Sequence, residues 1–192
     1  MEKETDYSLL ENAIRKHNIE GVKKLISDGI NVNAKVGSLG TTPLMIVSRW
    51  GCAQIVKLLL AAGANIHAID EKGDGVLINS CTKQIADMLI KAGAKVNGKD
   101  HMLRTPLHYA RNGKIAKILI DAGANVNARD WKRRTPLIRA AEFKGIDLVK
   151  VLIEKGADIN KKDKQSLTSL MWAKKKKKYK MAKLLKAAGA VA

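Results

Sequence analysis

The chain has 192 residues, 46% of them hydrophobic but only 4% aromatic, and its 36 Lys and Arg against 18 Asp and Glu give a formal net charge of +18. No apolar run approaches the ~20 residues of a membrane-spanning helix. The charged opening Met1–Asp6 lacks the apolar stretch of a secretion signal, and Cys52 and Cys81 have no CxxC or Cys/His ligand spacing. Membrane-embedded and disulfide-framework classes are thereby excluded, and a soluble, cytoplasmic monomer with reduced thiols and no metal or other cofactor is expected.

A leucine opening a helical pattern recurs at Leu10, Leu44, Leu77, Leu107, Leu137 and Leu170, at spacings of 34, 33, 30, 30 and 33 residues. Each is followed by a glycine, at Gly29, Gly63, Gly93, Gly123, Gly156 and Gly189. Periods in this range belong to solenoids, where each unit buries its apolar side only against its neighbours. Six repeats are predicted, approximately 7–36, 37–69, 70–99, 100–129, 130–162 and 163–192, in a single domain spanning 1–192. With so few aromatics, Leu, Ile, Val and Ala must build the seam between repeats.

In chain order, the first repeat opens irregularly with Ser8-Leu9-Leu10, as suits a terminal cap. The second has Thr42-Pro43-Leu44, a capping hydroxyl followed by a proline in the first helical turn, where its missing N–H costs nothing. The third, Asp74-Gly75-Val76-Leu77, lacks both; such a loss removes about 0.5–2 kcal/mol of local stability, so its inner helix is expected to fray first. The third and fourth repeats are each short by three residues at the end of the inner helix, after Ser80 and Ala110. That predicts a notch flanked by Trp50 and Phe143, which either lean in to fill it, the reading favoured here, or leave it open as a pocket. In the fifth repeat Thr135-Pro136-Leu137 starts an inner helix, Ile146, Leu148, Val149, Leu152 and Ile153 form one side of an outer helix, and Gly156 ends it. The sixth opens with Thr168-Ser169-Leu170 and carries Lys186 where other repeats have Leu60, Ile90, Ile120 or Ile153, as an exposed end requires.

Thr105-Pro106-Leu107-His108 and Gly123-Ala124-Asn125-Val126-Asn127-Ala128, with their counterparts in other repeats, resemble the capping and helix-ending motifs of the ankyrin repeat, from about Tyr7 to Ala190. The resemblance implies an all-α solenoid of helix–turn–helix units with finger turns, and protein recognition by the concave side formed by fingers and inner helices. Aromatic and arginine side chains are the usual anchors of protein interfaces. The predicted partner-binding residues are accordingly Arg49, Trp50, His101, Met102, Arg104, Tyr109, Trp131, Lys132, Arg134, Arg139, Phe143 and Trp172. The competing reading is that large inner-helix side chains merely stiffen the array. Tyr7 and Tyr179 are assigned to packing within the terminal repeats.

Residues 131–192 hold 18 Lys and Arg against 5 Asp and Glu, and Lys174, Lys175, Lys176, Lys177, Lys178 and Lys180 form a dense tract. A solvated turn on a capping repeat explains such a tract. The alternatives are a polyanion site for nucleic acid or an anionic membrane, and a targeting signal that carries the protein to a host cell or nucleus. Lysine outnumbers arginine 28 to 8, which favours non-specific attraction over base reading. His17, His67, His101 and His108 are scattered and no Ser/His/Asp or paired-carboxylate arrangement is present, so the expected function is binding, with an acidic or amphipathic protein segment as partner, and not catalysis.

Overall fold

The computed structural model describes all residues except 1, 36, 81, 144 and 192, with side chains from residue 7 onward. Eleven α-helices and one 3₁₀ turn are present among them, with one isolated antiparallel bridge, Ile69–Gly75. Two compact halves, Met1–Lys95 and Val96–Ala192, are taken in turn. Cys52 is a free thiol; Cys81 lies outside the described residues.

The N-terminal half holds α1 (Glu2–Arg15), α2 (Ile19–Ser27), α3 (Pro43–Trp50), α4 (Ala53–Ala61), the 3₁₀ turn Val76–Asn79 and α5 (Lys83–Lys91). Helix α1 begins well before Ser8-Leu9-Leu10, the expected opening of the first repeat, and buries Leu10 and Ile14. Thr42 Oγ1 accepts the Met45 amide at 3.4 Å, Pro43 occupies the first turn of α3, and Leu44, Met45 and Val47 are buried. Outer helix α4 buries Ile55, Val56 and Leu59. The third repeat, without hydroxyl or proline, forms only the four-residue 3₁₀ turn, whose preceding Gly75 makes no side-chain cap.

The C-terminal half holds α6 (Pro106–Tyr109), α7 (Gly113–Asp121), α8 (Pro136–Phe143), α9 (Ile146–Glu154), α10 (Ser169–Lys175) and α11 (Tyr179–Ala187). Inner helix α6 has four residues against eight in α8, so the missing turn falls where the repeat spacing placed it. Leu137, Ala140 and Ala141 of α8 are fully enclosed, and small residues there let the next inner helix approach. Gly113 marks a close approach of outer helices: its amide donates to Asp147 Oδ2 at 3.0 Å, and a Cβ there would lie 2.8 Å from Val151 Cγ2.

Successive repeats are strapped by one asparagine each. Asn97 Nδ2 donates to the Gly123 carbonyl and its Oδ1 accepts the Asn125 amide; Asn127 links in the same way to Gly156 and Asp158, and Asn160 to Gly189 and Val191. In the N-terminal half Asn33 ties Gly63 and Asn65, but the corresponding position of the second repeat is His67.

Candidate functional site

Each finger turn of the C-terminal half is built on a buried aspartate. Asp100 Oδ1 accepts the amides of Met102 and Arg104, Asp130 Oδ1 those of Lys132 and Arg134, and Asp163 Oδ1 those of Gln165 and Leu167. Asp70 does the same for Lys72 and Asp74 in the N-terminal half. The second oxygen faces the inner helix, nine positions further along the chain. Asp100 Oδ2 accepts the Tyr109 hydroxyl at 2.7 Å, Asp163 Oδ2 accepts the Trp172 indole N–H at 2.8 Å, and Arg139 reaches to 4.0 Å from Asp130 Oδ2. Burial alone would raise the Asp100 carboxyl, but hydrogen bonds from Tyr109 and Arg104 outweigh it and hold the group below the usual carboxylate range.

This arrangement sorts the predicted partner-binding residues into two sets. Arg104 Nε donates to Asp100 Oδ2 at 2.7 Å and stacks over the Tyr109 ring; Arg134 bridges Asp130 and the buried Glu142. Trp172 is 8% exposed and spends its N–H on Asp163. These side chains hold the fingers to the inner helices, because a buried carboxylate must be hydrogen-bonded on both oxygens. Arg139 sits among them with its guanidinium pKa lowered by burial and by Arg134 and Arg104, and its buried Nε makes no hydrogen bond. In the N-terminal half the second repeat has Gly37 where the other fingers have the aspartate, and Arg49, three residues beyond the column of Tyr109 and Trp172, donates to Asn79 Oδ1 at 2.8 and 3.2 Å.

The second set stands in solvent. Trp131, Met102, His101 and Lys132 lie exposed on adjacent fingers, which are joined where the Trp131 amide donates to the Met102 carbonyl at 3.0 Å. Lys132 and Lys164 place their ammonium groups 4.9 and 5.5 Å from the centre of the Trp131 ring, and the ring is still 42% exposed. Leu103, absent from the sequence-based set, joins them at 48% exposure. It holds the fingertip at φ +57°, a left-handed conformation that costs a side-chain-bearing residue about 1 kcal/mol or more and that Gly73 supplies in the third repeat without strain. The sequence signal was available: a leucine where a glycine fits best.

Trp50 and Phe143, the residues expected to flank the notch, lie in different halves, and each is about half exposed. Trp50 is 48% exposed and lies under the Arg15 guanidinium of the first repeat; Phe143 is 54% exposed, with Arg139 and Lys176 each 5.7 Å from its ring centre. A long cation from the neighbouring repeat, Arg15 or Lys176, thus lies near each ring. Tyr179, assigned to internal packing, is 73% exposed, and Ile146 is 38% exposed. Lys174, Lys175, Lys176, Lys177 and Lys180 are exposed, and Lys178 is partly covered, its pKa lowered by burial and by Lys176. No helix among the described residues is long and apolar enough to cross a membrane.

The family profile described as ankyrin repeats (3 copies) matches residues 2–70, 44–130, 76–163 and 130–191. Among solved structures, a chain of the complex titled Bd0816 predatory endopeptidase from Bdellovibrio bacteriovorus with immunity protein Bd3460 is similar at TM-score 0.81 and 30% identity, over 93% of this chain and 97% of that one. A 64-residue stretch is 38% identical to glycerophosphocholine phosphodiesterase gde1 of Schizosaccharomyces pombe; it covers 33% of this chain but 6% of that protein. So small a share carries none of that enzyme's activity across. Profile matches from one end to the other, on an all-α frame of capped inner helices and asparagine-strapped outer ones, place the chain in the ankyrin-repeat family, whose members generally mediate protein–protein interaction.

Proposed function

We propose that the protein is a cytoplasmic, monomeric binding scaffold, not an enzyme, and that the fingers of its fourth and fifth repeats grip an acidic or amphipathic segment of a partner protein. One observation carries this reading: Trp131 is held by two lysines yet left 42% exposed, beside exposed Met102 and Leu103. A large ring fixed in place before binding loses little rotamer freedom on contact, and the flanking cations complement a partner carboxylate. The buried aspartate–arginine set beneath gives the fingers a rigid base. The likeness to a chain of an endopeptidase–immunity protein complex supports a protein partner over a small ligand.

The test is affinity capture with the wild type, Trp131→Ala and Met102→Ala, followed by titration of the identified partner. Interface anchors cost more than about 1 kcal/mol when truncated, so each variant should weaken binding by about fivefold or more. Arg134→Ala is unsuitable, since it would strip Asp130 and Glu142 of their buried cation. Unchanged affinity in Trp131→Ala and Met102→Ala would place the interface elsewhere.

A further inference from the structure

The chain carries nine lysines after Asp163 and no Asp or Glu. Lys174, Lys175, Lys176, Lys177, Lys180, Lys183 and Lys186 form no ion pair among the described residues, although ten ion pairs occur elsewhere in the molecule. Uncompensated like charges this close repel one another, so the surface is set to take up negative charge. Helices α9 and α11 make little contact, in contrast to α7 and α9. Where their first turns stand apart, Ile146, Tyr179 and the buried Met181 line a shallow apolar groove bordered by Lys177, Lys178 and Lys180. Phe143 belongs to the same surface through Lys176, 5.7 Å from its ring centre.

We propose that this surface, made by the end of α8, the turn before α11 and the first turns of α9 and α11, binds single-stranded nucleic acid without sequence preference. Bases stack on the open rings of Tyr179 and Phe143, and phosphates run along Lys176, Lys177 and Lys180. The combination of aromatic faces with a track of point charges is what single strands require. No arginine follows Arg139, so the bidentate forks that suit carboxylates and base edges are missing from this surface. The exposed apolar groups are two rings and one isoleucine, too little aliphatic area to anchor in acyl chains. The proposal is independent of the finger site.

Fluorescence anisotropy of the full-length protein with a labelled oligo-dT of about 15 nucleotides, at about 50 and 200 mM salt, tests it. Binding should weaken steeply with salt. Tyr179→Ala should lose about fivefold or more at either salt without changing the slope, and Tyr179→Phe should bind as the wild type does. Lys176→Gln with Lys177→Gln should lower the slope of log K against log salt by about 1.4, since single strands release about 0.7 counterion per neutralised phosphate. Tyr179 is exposed, so helical circular dichroism should match the wild type in every variant. The idea is overturned if the oligonucleotide stays free, if polyglutamate of equal length binds as tightly, if phosphatidylserine vesicles are bound in its place, or if Tyr179→Ala changes nothing.

Discussion

His108 is a titratable residue built into an inner-helix cap, and its environment fixes a pH dependence that can be measured. The Thr105 amide donates to Nδ1 at 3.1 Å, which leaves the ring proton on Nε2, 3.1 Å from the Arg134 carbonyl. A second proton on Nδ1 would face an N–H donor inside a buried site. Burial, opposed in part by the Arg134 carbonyl and by Asp130, lowers the pKa from 6.5 to about 4. Between these values the unfolded chain binds more protons than the folded one, so stability is fully present above about pH 6.5 and falls as pH drops toward 4. Linkage puts the loss at about 2 kcal/mol by pH 5 and about 3 kcal/mol below pH 4. Asp100, with its carboxyl held low, loses its contribution only below the ordinary carboxylate range, outside this window. Urea unfolding followed by circular dichroism at about pH 7 and pH 5 should show the wild type losing about 2 kcal/mol more than His108→Gln, which keeps an acceptor and a donor but does not titrate. Equal losses in the two proteins would refute the argument.

Three further outcomes follow from the packing. Gly113→Ala gains about 1 kcal/mol of helix propensity but drives a methyl against Val151 and the Asp147 carbonyl, an overpacking that costs about 1–3 kcal/mol; thermal melts should show a lower midpoint. His67→Asn should raise the urea midpoint, because the asparagines at the equivalent positions each make two bonds to the next repeat and a net gain of about 1 kcal/mol is ordinary for bonds of this kind. Trp172→Phe keeps the ring but leaves the buried Asp163 Oδ2 without its donor, so about 1.5–3 kcal/mol should be lost in the same assay, most of it from the sixth repeat by amide exchange.

The frame was legible in the sequence because its signals are local. Thr42-Pro43-Leu44 and Gly63 each act within one helix terminus, and their spacing alone located the shortened inner helices of the third and fourth repeats. The candidate site was less legible because exposure depends on what lies across the repeat boundary. Trp131 stands on a finger one residue after Asp130 and is open, whereas Trp172 stands on an inner helix nine residues after Asp163, donates to it and is buried. That pairing was readable in principle: Asp100, Asp130 and Asp163 each stand nine residues before Tyr109, Arg139 and Trp172. Tyr179 escaped notice for the opposite reason. An aromatic in a terminal repeat suggests packing, but at the first turn of α11 Tyr179 borders a shallow groove with Ile146 and stays 73% exposed.

The finger aspartate divides its labour between its two oxygens. One is committed to the backbone of its own turn and takes the amides two and four residues on wherever the aspartate is present; the other accepts a phenol in one repeat and an indole in another. The shape of the finger is therefore insulated from the choice of side chain on the inner helix. Substitution in that column changes how firmly a finger is held to its inner helix, as the loss expected for Trp172→Phe illustrates, while the amides of the loop keep their acceptor.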